Sequence, residues 1–233
     1  MFCLKISILE FTDGARHAEG LTVIIDVFRA FSLEAYLYSR GAAGITAVGS
    51  LEEAFRLKKE HPDHILIGER GGKKCDGCDF GNSPSQTMAA DVRGKYIIHT
   101  TSAGTQGITN AVHADEIISG SLVNASAVAS YILSKQPADV SIVAMGTAGV
   151  SRAREDFICA EYIRSLIDGS SYDIDAAVTS LRNNGGAHFF DPKTQEIFPK
   201  EDFRMCTQHD LFDFIIRAEK AGTGICQMKK VGL

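Results

Sequence analysis

The sequence predicts an α/β fold in which a mainly parallel sheet is flanked by helices on both faces, in three layers. Short apolar runs rich in Val and Ile alternate along the chain with stretches of helical periodicity, a pattern typical of such sheets. Helix-terminating residues such as Gly41 and Pro62 mark boundaries between them. The 233 residues, 45% hydrophobic and 23% charged, are enough to bury a core without disulfides or structural metals.

The first half of the chain opens with two predicted strands. Residues 2–8 alternate apolar and polar side chains, as in a strand with one solvated face. Leu21 to Asp26 is a continuous apolar run that ends in an acid, the pattern of a strand buried on both faces. Five further elements are predicted here: a helix over 28–40, a strand over 45–48, a helix from the capping box Ser50–Glu53 to Pro62, a strand over 64–67 and a short helix opened by Ser83 and Pro84.

The second half continues the alternation as far as residue 168 and is less regular beyond it. Strands are predicted over 96–99, 116–118 and 140–144, and helices after Ser102 and over 122–133 and 151–167. The tail carries a helix over 174–181, an irregular stretch over 183–199, a helix over 207–219 and a final strand over 225–228. We therefore expect an α/β core at residues 1–168 that carries the site loops, with residues 169–233 packed on it or continuous with it.

Charge and hydropathy argue against nucleic acid and membranes as partners of this protein. The 24 Lys and Arg against 29 Asp and Glu give a formal net charge of -5, so no basic patch points to nucleic acid. No apolar run approaches the roughly 18 residues of a membrane span, and the first residues lack the pattern of a secretory signal. We expect a soluble cytoplasmic protein, with no membrane partner; its oligomeric state stays open, with a homodimer as one possibility.

The six cysteines are expected to be mostly reduced thiols in that compartment. Cys75 and Cys78 form a C-x-x-C pair in a loop rich in glycine and lysine. A structural zinc needs four ligands, and the sequence has no second pair at finger spacing. A thioredoxin-type pair would open a helix directly after a strand. Incidental loop thiols are therefore favoured over zinc or redox chemistry.

Acids, arginines and hydroxyl-rich loops follow the predicted strands. Because the carboxyl ends of parallel strands meet at one edge of a sheet, where ligands bind, we expect these groups to converge in one crevice. Arginines bind phosphate, sulfonate or carboxylate through paired hydrogen bonds, and acids without a His/Cys cluster suit a hard cation such as Mg²⁺. The groups are Asp26 with Arg29, Glu69 with Arg70, Thr100–Thr105, Ser119–Ser126, and Arg152, Arg154, Glu155 and Asp156 after Gly146.

Each of these groups also has a purely structural interpretation. The Thr100–Thr105 turn either holds an oxyanion on its hydroxyls and backbone N–H groups or caps the helix that follows. Glu155 and Asp156 fall in a predicted first helical turn, where the helix dipole favours acids without any ligand. Asp26 is different, because a carboxylate at the buried end of a central strand is costly unless it is paired or bound. We interpret Asp26 as functional, and expect His99 to pack against the sheet.

Several known fingerprints are missing. The P-loop, the dinucleotide-binding G-x-G-x-x-G and the G-x-S-x-G nucleophile elbow do not occur in the sequence. Haloacid-dehalogenase-type phosphatases carry an apolar strand that ends in D-x-D, and Phe28 stands where their second Asp belongs. That change removes their general acid/base, so an aspartyl-phosphate mechanism is disfavoured but stays open.

Six blocks of sequence, taken together and in order, resemble the 2-phosphosulfolactate phosphatase family. The resemblance implies an α/β fold distinct from the haloacid-dehalogenase one. It also implies Mg²⁺-dependent hydrolysis of 2-phospho-3-sulfolactate to 3-sulfolactate and phosphate, a step towards coenzyme M. The tail matches more weakly, at Asp202, Cys206 and Asp210. The six blocks are Ile25–Ser32, Gly68–Gly71, Asp79–Pro84, Thr100–Thr105, Asn124–Ser126 and Glu155–Asp156.

The predicted roles follow from that resemblance and from the chemistry of the side chains. Asp26, Arg29 and Glu69 are the predicted catalytic residues, and Asp26 and Glu69, with Glu155 and Asp156, are expected to hold Mg²⁺ and orient a water. Arg29 and the threonine turn would bind the phosphoryl oxygens. Arg70 or Asn82 would bind the sulfonate or carboxylate. The predicted substrate-binding set is Arg70, Asn82, Ser83, Thr101, Ser102, Gly104, Thr105, Asn124 and Ser126.

Three alternative functions stay open from the sequence. The first is a phosphatase for another small phosphorylated hydroxy acid, and the second is a covalent aspartyl phosphatase. The third is a non-enzymatic anion-binding protein. The number of carboxylates beside the oxyanion loops argues against the third, since acids repel an anion unless a metal lies between them.

Overall fold

The computed structural model describes residues 4–233 and contains, within them, ten strands and nine α-helices. Short 3₁₀ segments lie at Leu122–Asn124 and Ala187–Phe190. The strands are β1 (Lys5–Glu10), β2 (Gly20–Ile25), β3 (Gly44–Val48), β4 (Ile65–Arg70), β5 (Lys73–Lys74), β6 (Tyr96–Thr100), β7 (Ala114–Gly120), β8 (Asp139–Ala144), β9 (Phe214–Gly222) and β10 (Ile225–Gly232). The helices are α1 (Phe11–Arg16), α2 (Ala30–Ser39), α3 (Leu51–Glu60), α4 (Pro84–Thr87), α5 (Gly104–Asn110), α6 (Ala125–Lys135), α7 (Arg154–Asp168), α8 (Ile174–Leu181) and α9 (Lys200–Thr207).

All ten strands belong to one sheet, in the order β1-β8-β2-β7-β9-β10-β3-β6-β4-β5. The first four are parallel to one another, as are β3, β6 and β4. The antiparallel hairpin β9-β10 joins these two blocks, because β9 pairs with β7 and β10 pairs with β3. The C-terminal residues therefore supply the middle of the sheet. The predicted mainly parallel α/β fold is confirmed.

Helices cover both faces of the sheet because successive strand residues point to opposite sides. In β2 every residue from Leu21 to Ile25 is buried, as the continuous apolar run predicts. Ile24 packs in one apolar cluster with α1, α2 and α5, whereas Val23 and Ile25 pack in another with α6, α7 and α8. A smaller cluster lies under α3, at Leu66 and Ile98.

The predicted helix over 207–219 is wrong. Helix α9 ends at Thr207, and Phe214 to Gly222 form strand β9. Phe214 and Ile216 enter one apolar cluster while Ile215 enters the other, so all three are buried between two helical layers, which suits β-branched and aromatic residues in a strand. The short helix α1 (Phe11–Arg16) was not predicted, and the predicted strand residues Phe2 and Cys3 lie outside the described residues.

The other predicted elements occur with shifted ends. Helix α8 has the predicted bounds, and α7 starts three residues later than predicted. Within residues 4–233 no helix is both long and apolar enough to cross a membrane. The five cysteines of that range, Cys75 and Cys78 among them, are buried free thiols.

Candidate active site

Four loops at the carboxyl edge of the sheet line one cavity of about 480 Å³. They follow β2, β4, β6 and β8, and the irregular segment between α8 and α9 closes the cavity from the side. The structure therefore brings together four of the five strand-end loops. The lining includes Asp26, Phe28, Arg29, Glu69, Gly71, Gly72, Asn82, Ser102, Ala103, Gly146, Thr147, Arg152, Arg154, Glu155, Asp156, Asn184, Gly185, His188 and Phe198.

Asp26 stands at the end of β2 with only 6% of its surface exposed. Its Oδ1 accepts a hydrogen bond from the Ala30 backbone N–H at 3.2 Å. A Cβ on Gly104 would lie 2.8 Å from the other carboxylate oxygen, so the close approach of this helix start to Asp26 requires glycine. Burial, and then repulsion from Asp156 and Glu69, raises the pKa of Asp26 to about 8.

Two more acids enter the cavity from the first turn of α7. Asp156 accepts hydrogen bonds from the Val27 and Gly146 N–H groups, each at 2.8 Å. Burial, and then repulsion from Glu155, raises the pKa of Asp156 to about 8. Burial also raises the pKa of Glu155, to about 7, with repulsion from Asp26 adding to it. These acids are buried beside one another, so they are more than solvated charges that favour a helix N-terminus.

Glu69, at the end of β4, joins two walls of the cavity. Its Oε1 accepts a hydrogen bond from the Ser102 N–H at 2.6 Å, and its Oε2 accepts one from the Gly72 N–H at 2.7 Å. The Ser102 hydroxyl oxygen in turn accepts from the Gly71 N–H at 3.2 Å. The carboxylate therefore holds the turn after β4 against the loop after β6.

Arg29 lines the cavity, but its guanidinium donates to three protein acceptors. Nη1 donates to Asp202 Oδ2 at 2.7 Å and to the Ile197 carbonyl at 2.8 Å, while Nη2 donates to the Gly72 carbonyl at 2.8 Å. The guanidinium also stacks over Phe198, 5.0 Å from the ring centre. These bonds connect the irregular segment and α9 to the turn after β4. The guanidinium that the sequence predicts to bind the phosphoryl group therefore bonds protein acceptors in this structure.

Two basic side chains face the cavity from its rim. Arg154 is the first residue of α7 and makes no side-chain hydrogen bond or ion pair within residues 4–233. His188 is half-buried in the irregular segment, where burial and the charge of Arg29 lower its pKa. Arg152 also lines the cavity, but its guanidinium bonds both carboxylate oxygens of Glu10, at 2.6 and 2.8 Å.

Thr101 and Thr105 do not line the cavity. Both are fully buried, and each hydroxyl oxygen accepts from the other residue's backbone N–H, at 2.9 and 3.0 Å. The helix-capping interpretation describes what these hydroxyls do in the fold. Arg70 does not reach the cavity either, since its Nη2 donates to the Thr100 hydroxyl at 3.1 Å and its Nη1 to the Glu69 carbonyl.

The loop after β7 lies apart from the cavity. Asn124 Oδ1 accepts from the Ser121 N–H at 3.0 Å, which caps the 3₁₀ turn. The Ser126 N–H donates to Asp210 Oδ1 at 2.8 Å. Asn124 Nδ2 also donates to the Phe214 carbonyl at 3.5 Å. Both residues therefore anchor the chain at or before the start of β9.

Within residues 4–233 no three His, Cys, Asp or Glu side chains converge closely enough to form a complete metal cluster by themselves. Mg²⁺ commonly uses one or two protein carboxylates and completes its shell with water and substrate oxygens. Asp26 and Glu155 fit that role: both line the cavity, and repulsion from Asp26 contributes to the raised pKa of Glu155. Both oxygens of Asp156 and of Glu69 already accept backbone N–H groups.

A family model described as 2-phosphosulpholactate phosphatase matches residues 7–221 of this chain. The chain belongs to this family. A relative from Bacillus subtilis, named probable 2-phosphosulfolactate phosphatase, is 30% identical over 205 residues, which cover 87% of this chain and 88% of the relative. Relatives with the same name come from Caldanaerobacter subterraneus, 34% identical over 84% of this chain and 87% of theirs, and from Carboxydothermus hydrogenoformans, 41% identical over 70% and 68%.

The weaker family matches in the tail lie around the site rather than in it. Asp202 is fully buried and receives Arg29, and Cys206 is fully buried one helical turn later. Asp210 accepts from the Tyr162 hydroxyl at 2.6 Å as well as from the Ser126 N–H. In this member of the 2-phosphosulfolactate phosphatase family, these tail residues hold the C-terminal segment against the core.

Two features of the site were missed from the sequence. His188 lies in a stretch without helical or strand periodicity, so nothing in the pattern places it near the acids. Arg154 follows the predicted strand over 140–144, and its position directly before Glu155 and Asp156 is the sequence signal that points to it.

Proposed function

We propose that this protein is a Mg²⁺-dependent phosphatase that hydrolyses 2-phospho-3-sulfolactate to 3-sulfolactate and phosphate. One observation carries the proposal: buried carboxylates with raised pKa values face a cavity whose rim bears Arg154 and His188. Such acids need a proton or a cation as compensation, and a cation would let an anionic ester approach them. The names of the relatives supply the substrate.

The donor set supports a hard divalent cation. Asp26 and Glu155 offer carboxylate oxygens of the kind that Mg²⁺ prefers, and the cavity of about 480 Å³ leaves room for water and substrate oxygens. When bound, Mg²⁺ would neutralise charge on the phosphoryl group and lower the pKa of a coordinated water.

The protein's own groups would orient the ester. Arg154 and His188 would donate hydrogen bonds to its anionic oxygens from the rim. Asp156 would fix the backbone around the site, because its two oxygens accept N–H groups from the loops after β2 and β8. Glu69 would do the same for the opposite wall. The phosphoryl group would thus be presented to water in one orientation.

The test is phosphate release from 2-phospho-3-sulfolactate, with Mg²⁺ and then with EDTA, beside several phosphorylated hydroxy acids. We expect release that requires Mg²⁺ and favours the sulfonate. Preference for another ester would reassign the substrate. Radioactive phosphate trapped on Asp26 after acid quenching would indicate the covalent mechanism, and tight binding without release would indicate an anion-binding protein.

The cellular setting and assembly are part of the same proposal. The reaction would serve coenzyme M formation or another use of sulfolactate, in the cytoplasm. Light scattering during size-exclusion chromatography tests the homodimer directly.

A further inference from the structure

A buried row of three side chains lies behind one wall of the cavity. His99 Nδ1 lies 2.8 Å from Glu34 Oε1, and His99 Nε2 lies 2.9 Å from Asn82 Oδ1. Glu34 and His99 have no exposed surface, and Asn82 is 5% exposed. Asn82 also lines a second cavity of about 300 Å³ beside the first. The row thus runs from the interior of α2 to the wall that the two cavities share.

The charge of Glu34 determines which ring nitrogens of His99 carry a hydrogen. A buried carboxylate is costly unless a cation compensates it. Within residues 4–233, the basic side chain within ion-pairing distance of Glu34 is His99, at 2.8 Å, and Oε2 of Glu34 has no hydrogen-bond partner. A His99 ring that carries a hydrogen on both nitrogens compensates the carboxylate.

The doubly protonated ring fixes the amide of Asn82. Nε2–H of His99 can only donate, so it must face the amide oxygen rather than the NH₂ group. Nδ2 of Asn82 is then turned away from His99, and it makes no hydrogen bond to another residue in the described part of the chain. A ring with a hydrogen on Nδ1 alone would reverse the amide and present an oxygen, which repels anions.

We propose that Glu34 and His99 are positioning residues that hold Asn82 with its Nδ2 as an N–H donor to an anionic group of the substrate. This inference rests on the proposed function and assigns a specificity role within it. The second cavity is also lined by Lys73 and Lys74. Asn82 Nδ2 would therefore donate to the sulfonate or carboxylate of the ester, which points away from the acids. The three-residue row would in this way recognise the anionic group other than the phosphate.

The hydrogens on His99 can be observed without any enzyme activity. Long-range ¹⁵N–¹H correlation spectra of the full-length labelled protein at neutral pH show which ring nitrogens carry hydrogen, and the His99→Gln variant assigns the signals. We expect both nitrogens of His99 to be protonated. A ring protonated on Nδ1 alone would reverse the amide and overturn the proposal, whether or not the protein is a phosphatase.

Binding and kinetics test the role of the amide. Asn82→Asp presents a carboxylate in place of the donor, so we expect 3-sulfolactate, added as a probe in calorimetry, to bind roughly tenfold to a hundredfold more weakly. KM for the ester should rise by a similar factor, while kcat changes much less. Glu34→Gln removes the charge that keeps His99 protonated and should raise KM in the same direction. An unchanged KM and unchanged probe affinity in Asn82→Asp would contradict the proposal.

Two controls separate this inference from the proposed function. His64→Gln changes a histidine outside both cavities and should leave KM and probe affinity unchanged. If the wild-type protein released no phosphate, the proposed function would fail, while the spectra and probe binding would still decide the state of the row. If Glu34→Gln did not fold, the wild-type spectra and Asn82→Asp would still test it.

Discussion

Asp202 and Asp26 are both buried carboxylates within reach of the same cavity wall, yet their surroundings are opposite. Asp202 has no exposed surface; its oxygens receive Arg29 Nη1, the hydroxyls of Ser83 and Ser85, and the Ser85 N–H, at 2.6 to 2.9 Å. Asp26 has other acids as its charged neighbours, and its pKa is raised to about 8 by burial and by those acids. Burial alone therefore does not distinguish a functional acid from a structural one. The distinguishing feature is that, among residues 4–233, no basic side chain neutralises the buried carboxylate of Asp26.

The two sites also have different roles, one in stability and one in the proposed chemistry. The Arg29–Asp202 pair joins α9, the turn after β4 and the irregular segment into one wall. The acids around Asp26 are costly to the fold in the absence of a proton or a cation.

Asp26→Asn should abolish most of the phosphatase activity while leaving the fold intact. The amide keeps an oxygen for the Ala30 N–H but removes a metal-binding carboxylate, so we expect kcat to fall by a factor on the order of 10² to 10³. Phosphate release with saturating Mg²⁺ measures kcat, and urea unfolding checks the fold. Turnover at the wild-type rate would remove Asp26 from the mechanism.

Asp202→Asn should mainly lower stability. It leaves Arg29 buried without its charged partner, so we expect the free energy of unfolding to fall by about 3 kcal/mol. Urea denaturation measures it. The matched control is Glu201→Gln, which breaks an exposed pair with Arg204 and should change stability little. Equal effects in the two variants would show that the buried pair does not hold the wall.

The metal-free protein should lose stability as pH rises from about 4 to about 8. In the unfolded chain an aspartate titrates near 3.8, whereas the pKa values of Asp26 and Asp156 are raised to about 8 in the fold. The folded state therefore holds more protons in this window. The stability they contribute is complete below about pH 4 and is lost as pH rises through 8, by about 1.4 kcal/mol per pH unit for each proton.

Urea unfolding across this pH range, in EDTA and in Mg²⁺, measures that dependence. The free energy of unfolding should change less steeply with pH in Asp26→Asn, because this variant lacks one of the titrating groups. It should also change less steeply in Mg²⁺, because the bound cation, in place of protons, then compensates the buried carboxylates. The same pH dependence in the wild-type protein and the variant would show that folding does not raise the pKa of Asp26.

Ser126→Ala should have the smallest effect. The Ser126 backbone N–H, which the substitution keeps, bonds Asp210, and the side chain lies away from the cavity. We expect KM for the ester to remain within about twofold of the wild-type value, as for substitutions away from a site. A clear rise in KM would restore the substrate role that the sequence predicts for this loop.

Most of the fold follows from the sequence because parallel strands leave a strong local pattern. The run from Leu21 to Ile25 is buried on both faces, and its apolar continuity already indicates this. The residues from Phe214 to Ile216 are buried in the same way, but charged residues on either side obscure the short apolar run. The resulting error is the helix predicted over 207–219.

The site is predictable only where strand ends determine it. Asp26, Glu69, Glu155 and Asp156 meet because parallel strands share a carboxyl edge. Thr101 and Thr105 show the limit, since a hydroxyl that caps a helix and a hydroxyl that binds an anion look the same in sequence. His188 reaches the cavity through an irregular segment, whose path depends on tertiary contacts.

Calorimetric titration of Mg²⁺ into the metal-free protein tests the central claim most directly. We expect the wild-type protein to bind Mg²⁺ at one site near neutral pH and to release protons as it does so, because the cation displaces them from acids whose pKa values are raised. Asp26→Asn should lose this binding, while Asp202→Asn, assayed where it is folded, should keep it. Identical binding by the wild-type protein and Asp26→Asn would contradict the account.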